Sequence, residues 1–153
     1  MAIDEARRTK VVLTIGGLSP VIDHSFRVAR RISDDIVAVH VASDPEQAEK
    51  IRREWDAQRH GGVPLTVIES PYREIIEPLR DFLENLQRQE PGVLLNLLVP
   101  VIVTDEPFDA YLHNGVASQI IRELTYSEGI LITIVPFYVS LANTARHPGV
   151  GGP

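Results

Sequence analysis

Five short apolar runs recur along the chain: KVVLTI (10–15), IVAVHV (36–41), PLTVIE (64–69), VLLNLLV (93–99) and ILITIVPF (130–137). They are rich in β-branched residues and nearly continuous, the pattern of strands buried on both faces of a parallel sheet. Between them the period changes. Ile22, Phe26 and Ala29 recur at helical spacing, as do Ala48, Ile51 and Trp55. Ile75, Ile76, Leu79, Phe82, Leu83 and Leu86 mark a third helix, and Val116, Ile120 and Leu124 a fourth. Each set forms one apolar face with charge largely off it.

The punctuation agrees with this reading. Ser19-Pro20, Asp44-Pro45 and Ser70-Pro71 each join a capping residue to a proline suited to the first helical position, and Asn114 is placed to cap the fourth helix. Pro78 lies inside the third pattern and predicts a kink or a split first turn. Pro100 is expected to end the fourth strand, leaving 101–113 irregular. Alternating strands and helices argue for an α/β fold: an open, doubly wound, five-stranded parallel sheet with helices on both faces. Its binding crevice is expected at the carboxyl ends of the strands. Residues 1–9 form a charged lead-in, 10–141 one domain, and 142–153, ending in PGVGGP, an expected disordered tail.

Composition narrows the function. The chain has 153 residues, 44% of them hydrophobic and 24% charged, which suits one globular domain. There is no cysteine, so disulfides and thiolate metal sites are excluded. The formal charge is −6, with 21 acidic and 15 basic residues, which disfavours nucleic acid as a partner. The longest apolar runs, 93–103 and 129–141, fall short of the roughly 20 residues a membrane-spanning helix needs, so the chain is expected to be soluble as it stands.

Chemistry is expected at the carboxyl rim, where every helix begins. Free helical N–H groups gather there and favour an anion. Tyr72 and Arg73 would sit in the first turn of the third helix, the ring offering a stacking face and the guanidinium a forked phosphate donor. The same two residues also fit plain packing, with Arg73 paired to Glu69 or Glu77. IGGLSP (15–20) is a flexible turn where Gly16 and Gly17 let a ligand approach the backbone. His40 is a rim group or a satisfied core histidine. His113 and Asn114 either reach a ligand or serve local capping.

Enzymatic signatures are missing from the sequence. There is no phosphate-binding Walker loop, no dinucleotide glycine fingerprint and no nucleophile elbow. The five histidines (His24, His40, His60, His113 and His147) show no metal-ligand spacing. No catalytic or metal-binding role is expected.

The order of elements resembles the universal stress protein fold. The nucleotide-binding branch of that family carries spaced glycines after the fourth strand, whereas VPVIVTDEPFDAYLHNGVAS (99–118) retains only Gly115. A closer resemblance is carried by VHVASDPEQAEKIRREW (39–55), ESPYREIIEPL (69–79), VPVIV (99–103) and LHN (112–114). These look like the cytosolic C-terminal domain of bacterial permeases of the amino acid–polyamine–organocation superfamily. The likeness covers residues 10 to 140. Relatives of that type often show paired tryptophans where this chain has Pro107-Phe108.

That group includes high-affinity potassium importers. The resemblance implies a regulatory, ligand-sensing domain on the cytosolic face of the bacterial inner membrane, or in the cytoplasm if free-standing. It implies a homodimer and a covalently linked transmembrane transport domain absent from this chain. It also implies inhibition by cyclic di-AMP, so the ligand is expected to be an adenine nucleotide or that cyclic dinucleotide. The expected contacts are Gly16, Gly17, His40, Ser70, Tyr72, Arg73, His113 and Asn114. The alternative is a free-standing stress protein-like chain that binds ATP or merely dimerises.

Overall fold

A computed structural model describes residues 2–16, 19–58, 60, 62–105 and 114–139. Gly17, Pro107, Phe108, His113 and the 142–153 tail lie outside them, as does the side chain of Ser19. Among the described residues there are five strands: β1 (Arg8–Thr14), β2 (Ile36–Ala42), β3 (Leu65–Glu69), β4 (Val93–Thr104) and β5 (Ile130–Val139). Four α-helices connect or follow them: α1 (Ser19–Ile32), α2 (Pro45–Gln58), α3 (Ile76–Gln89) and α4 (Gly115–Leu124).

The strands form one sheet in the order β3-β2-β1-β4-β5, and every pairing is parallel. The doubly wound architecture expected from the alternating pattern is therefore the one observed. The chain winds outward from β1 to β3, then crosses back to β4 and winds the other way to β5. The direction reverses between β1 and β4, the topological switch point where such sheets bind ligands.

Alternate residues of each strand feed opposite faces. Val37 and Val39 pack toward α3 and α4 with Leu79, Leu83, Ile120 and Leu124. Ile36 and Ala38 pack toward α1 and α2 with Phe26, Ala29 and Trp55. The central strand positions Val11, Val12, Leu13, Leu95, Leu97 and Leu98 have no solvent exposure. Two unbroken cores thus clamp the sheet and hold its rim in place.

Several local expectations need correction. β1 begins at Arg8, two residues earlier than the apolar run, because Arg8 and Thr9 pair with Val93 and Leu94. β4 does not end at Pro100 but continues to Thr104, in register with β5. The register with β1 stops at Leu98, so β4 has one neighbour beyond it, and a missing N–H is tolerated there.

Ser70-Pro71 does not open a helix. The Arg73 amide donates to the Ser70 carbonyl at 3.1 Å, closing a turn with proline at its second position. Arg73 adopts φ 57, the left-handed region rare for a side chain. α3 starts only at Ile76, whose amide is met by Glu74 Oε1 at 3.2 Å. Pro78 therefore falls in the first helical turn, where its missing N–H has no partner to lose, and the expected kink has no cause.

Candidate functional site

A cavity of about 370 Å³ opens at the carboxyl rim over the switch point. The ends of β1 (Thr14, Ile15, Gly16) and β4 (Val99, Pro100, Ile102) form its floor. The first turns of α1 and α4 wall it with Val21, Ile22, Ser25, Val116 and Ala117, and α3 adds Leu79. None of its described lining residues carries a fixed charge. Its size lies within the about 300–1,000 Å³ typical of small-molecule sites, and its mostly apolar lining with few polar groups is also typical.

Each polar group is placed by a specific local device. Thr14 Oγ1 donates to the Leu98 carbonyl at 2.9 Å, tying the ends of β1 and β4 together. Asn114, expected to cap α4 through its side chain, does something else. Its Oδ1 accepts from the Ile102 amide at 2.8 Å and its Nδ2 donates to the Ile102 carbonyl at 2.6 Å. It acts as a detached strand residue that pins the start of α4 to β4. His40 lies at the end of β2 and is 8% exposed. Its Nδ1 meets the Ile15 carbonyl at 2.8 Å, while its Nε2 has no hydrogen-bond partner among the described residues. Gly16 has only open space where a Cβ would stand, so the backbone there is accessible from the cavity.

A second pocket of about 220 Å³ adjoins the first, and the two share Val41 and Ile75 as lining. Ser43, Gln47, Ser70 and Arg73 help to complete it. Its α2 side is ordered by hydrogen bonds at the start of the helix. The Gln47 amide donates to Asp44 Oδ1 at 2.7 Å, and Gln47 Oε1 accepts from the Ser43 amide at 2.8 Å. This is a capping box whose return bond reaches one residue further back, and it bears out the Asp44-Pro45 signal. Arg73 is exposed and has no ion pair among the described residues; Glu77 is engaged by Arg80 instead.

The expected site residues thus divide. Gly16, His40 and Asn114 line the main cavity, and Ser70 and Arg73 line its neighbour. Tyr72 lines neither and is 92% exposed, on the turn that the Arg73 amide closes with the Ser70 carbonyl. Gly17 and His113 lie outside the described residues. Sequence reading passes over Ser25, which is 1% exposed, lines the cavity and has no hydrogen-bond partner for its hydroxyl among the described residues. A signal exists: Ser25 adjoins Phe26 within an otherwise apolar face of α1.

Among the described residues no group of acidic or histidine side chains could hold a metal ion, and no helix is long and apolar enough to cross a membrane. Fold and rim together define an open, doubly wound α/β domain of the universal stress protein type. Residues 6–137 match the family described as the KimA potassium transporter C-terminal domain, and the chain belongs to that family. It is 28% identical over 137 residues to the potassium transporter KimA of Bacillus subtilis strain 168. That alignment covers 88% of this chain and 22% of the transporter, so the chain spans under a quarter of the length of that relative. Among solved structures, pantothenate synthetase from Thermus thermophilus superposes over 92% of this chain and 62% of its own. At 14% identity and a TM-score of 0.38, that likeness carries no argument.

Proposed function

We propose that this domain is the cytosolic, non-catalytic regulatory part of a potassium permease, and that it senses an adenine nucleotide, cyclic di-AMP foremost, at its carboxyl rim. The observation that carries this reading is the pairing of two joined cavities. The deeper one is uncharged and apolar, suited to a base. The shallower one holds Arg73, a cation without an ion-pair partner among the described residues, suited to a phosphate. Family membership supplies the transport context.

A cyclic dinucleotide carries two bases and two phosphates, which matches a twofold pair of such sites. The edge strand β5 offers a surface for pairing, with Ile134 52% exposed and Tyr138 76% exposed. Ligand that favours one arrangement of the paired domains would shift the population of the attached transport unit.

A thermal-shift panel of AMP, ATP, cyclic di-AMP and cyclic di-GMP tests the reading. Cyclic di-AMP is expected to raise the Tm of the wild type and to raise that of Arg73→Ala much less. Stabilisation by ATP alone would favour a free-standing stress protein. A flat response to the whole panel would leave a dimerising domain without a nucleotide. Light scattering of the free chain reports the oligomeric state.

A further inference from the structure

The strands do not all end together. β1 loses its register with β4 at Leu98, whereas β4 and β5 stay paired as far as Thr104 and Val139. The part beyond Leu98 is therefore a two-stranded ribbon, and an isolated strand pair is marginally stable in water. Its root belongs to the cavity, which Pro100 and Ile102 line.

Side chains from two helices brace this ribbon, one on each strand. Asn114, at the start of α4, takes both backbone groups of Ile102. His24 of α1 holds the Pro136 carbonyl through Nε2 at 3.1 Å, and its ring meets that of Phe137 edge-on, centroids 5.5 Å apart. A carbonyl oxygen only accepts, so Nε2 carries the hydrogen. Alternate residues of a parallel strand turn their backbone groups to opposite sides. Ile102 gives both of its groups to Asn114, so Val101 and Val103 serve β5. Pro136, in register with Val101, then turns its carbonyl to the open edge, where His24 takes it. No amide is left over beside it, because proline has none.

The helices that supply these braces also wall the cavity. Val21, Ile22 and Ser25 of α1 line it on either side of His24 in sequence, and Val116 and Ala117 of α4 follow Asn114. His24 itself lines neither pocket, and no described residue of β5 does. An effect of ligand on β5 must therefore be carried to it by the protein. We propose that the ribbon is the sensor's output: a ligand lodged between the starts of α1 and α4 restrains both, and His24 passes that restraint to β5. This describes regulation from the nucleotide site proposed above and rests on that reading.

Amide hydrogen exchange at Val103, Phe137 and Val139 tests it, with saturating cyclic di-AMP and calorimetry to supply the affinity. In the wild type the ligand is expected to slow exchange at these amides about fivefold or more, a usual size for coupling between sites. His24→Phe keeps a ring against Phe137 but donates nothing. It should bind within about twofold of the wild type yet lose most of the slowing, since only the link is cut. His24→Gln, which restores an N–H donor, should recover it. His24→Ala stands in if His24→Phe does not fold. A purely structural brace would alter exchange in the free protein and leave the ligand's effect intact. An undiminished ligand effect in the donor-less variant, or none in the wild type despite binding, overturns this inference and spares the nucleotide site. Failure of the wild type to bind cyclic di-AMP overturns both.

Discussion

The two ends of the sheet treat polar groups in opposite ways. At the amino end Arg8, Lys10, Asp35 and Glu90 form a closed network. Lys10 Nζ lies 2.8 Å from Asp35 and 3.2 Å from Glu90, and Arg8 reaches the same two carboxylates at 3.2 and 2.9 Å. At the carboxyl end Ser25 Oγ and His40 Nε2 have no partner among the described residues, and Arg73 has no ion pair there. Both ends belong to the same strands and the same cores, so packing does not explain the difference. Where a group serves only stability, the chain supplies its partner. At the carboxyl end the ligand proposed above would be the complement.

The largest effect is expected from dismantling the closed end. Asp35→Asn combined with Glu90→Gln leaves the Lys10 ammonium, 14% exposed, without a counter-ion. Removing partners from a buried charge costs about 3–5 kcal/mol, and the partial exposure of both carboxylates reduces this to about 2–3 kcal/mol. Urea denaturation measures it. A loss below about 0.5 kcal/mol would make the network ornamental and erase the contrast. Next in size is Asn114→Ala, which strips both backbone groups of Ile102 of their partner and should cost about 2 kcal/mol. Faster hydrogen exchange at the Ile102 amide is its specific sign. Unchanged exchange there would mean that the β4–α4 tether does not hold the rim.

Much of this comparison is legible in the sequence, for physical reasons that also mark where legibility ends. Period and punctuation place strands and helices because burial on a sheet and on a helix leave different spacings. Asp44-Pro45 reads correctly as a helix start, since Gln47 completes its capping box. Ser70-Pro71 carries the same local signal, yet a tight turn uses it equally well, and here the turn closes at Arg73 before α3 begins at Ile76. Pro100 reads as a strand end because sequence does not show that β4 has lost one neighbour by that point. His40, Gly16 and Asn114 are placed by strand order alone. Ser25 escapes notice because one serine on an apolar helix face has meaning only once the cavity beside it is known. The transporter context is legible only through resemblance, which the match over residues 6–137 bears out.

A smaller effect distinguishes the ends by pH. Burial lowers the Lys10 pKa, but hydrogen bonds and charges from Asp35 and Glu90 outweigh it, and the net shift is upward from 10.5. Because the folded value exceeds the unfolded one, this stabilisation is fully present below the unfolded pKa. It is lost as pH rises through the folded pKa. The stability difference between wild type and Lys10→Met should therefore be flat around neutral pH and shrink above 10.5. A difference that shrinks between neutrality and mildly alkaline pH would locate the titration elsewhere.

The finest test sets one serine against another. Ser33 sits at the amino end, where its hydroxyl donates to the Thr9 carbonyl at 2.9 Å and accepts from the Asp35 amide at 3.0 Å. Ser25 is more buried, and its hydroxyl has no partner among the described residues. Ser33→Ala therefore orphans two backbone groups and should cost about 1 kcal/mol, whereas Ser25→Ala relieves an unanswered hydroxyl and should be neutral or stabilising by up to about 1 kcal/mol. The substitution is chemically identical, so helix propensity aside, the difference in sign reports only whether a partner was present. If Ser25→Ala destabilises the free protein as much as Ser33→Ala does, its hydroxyl already has a partner, and the open end of the sheet is no more open than the closed one.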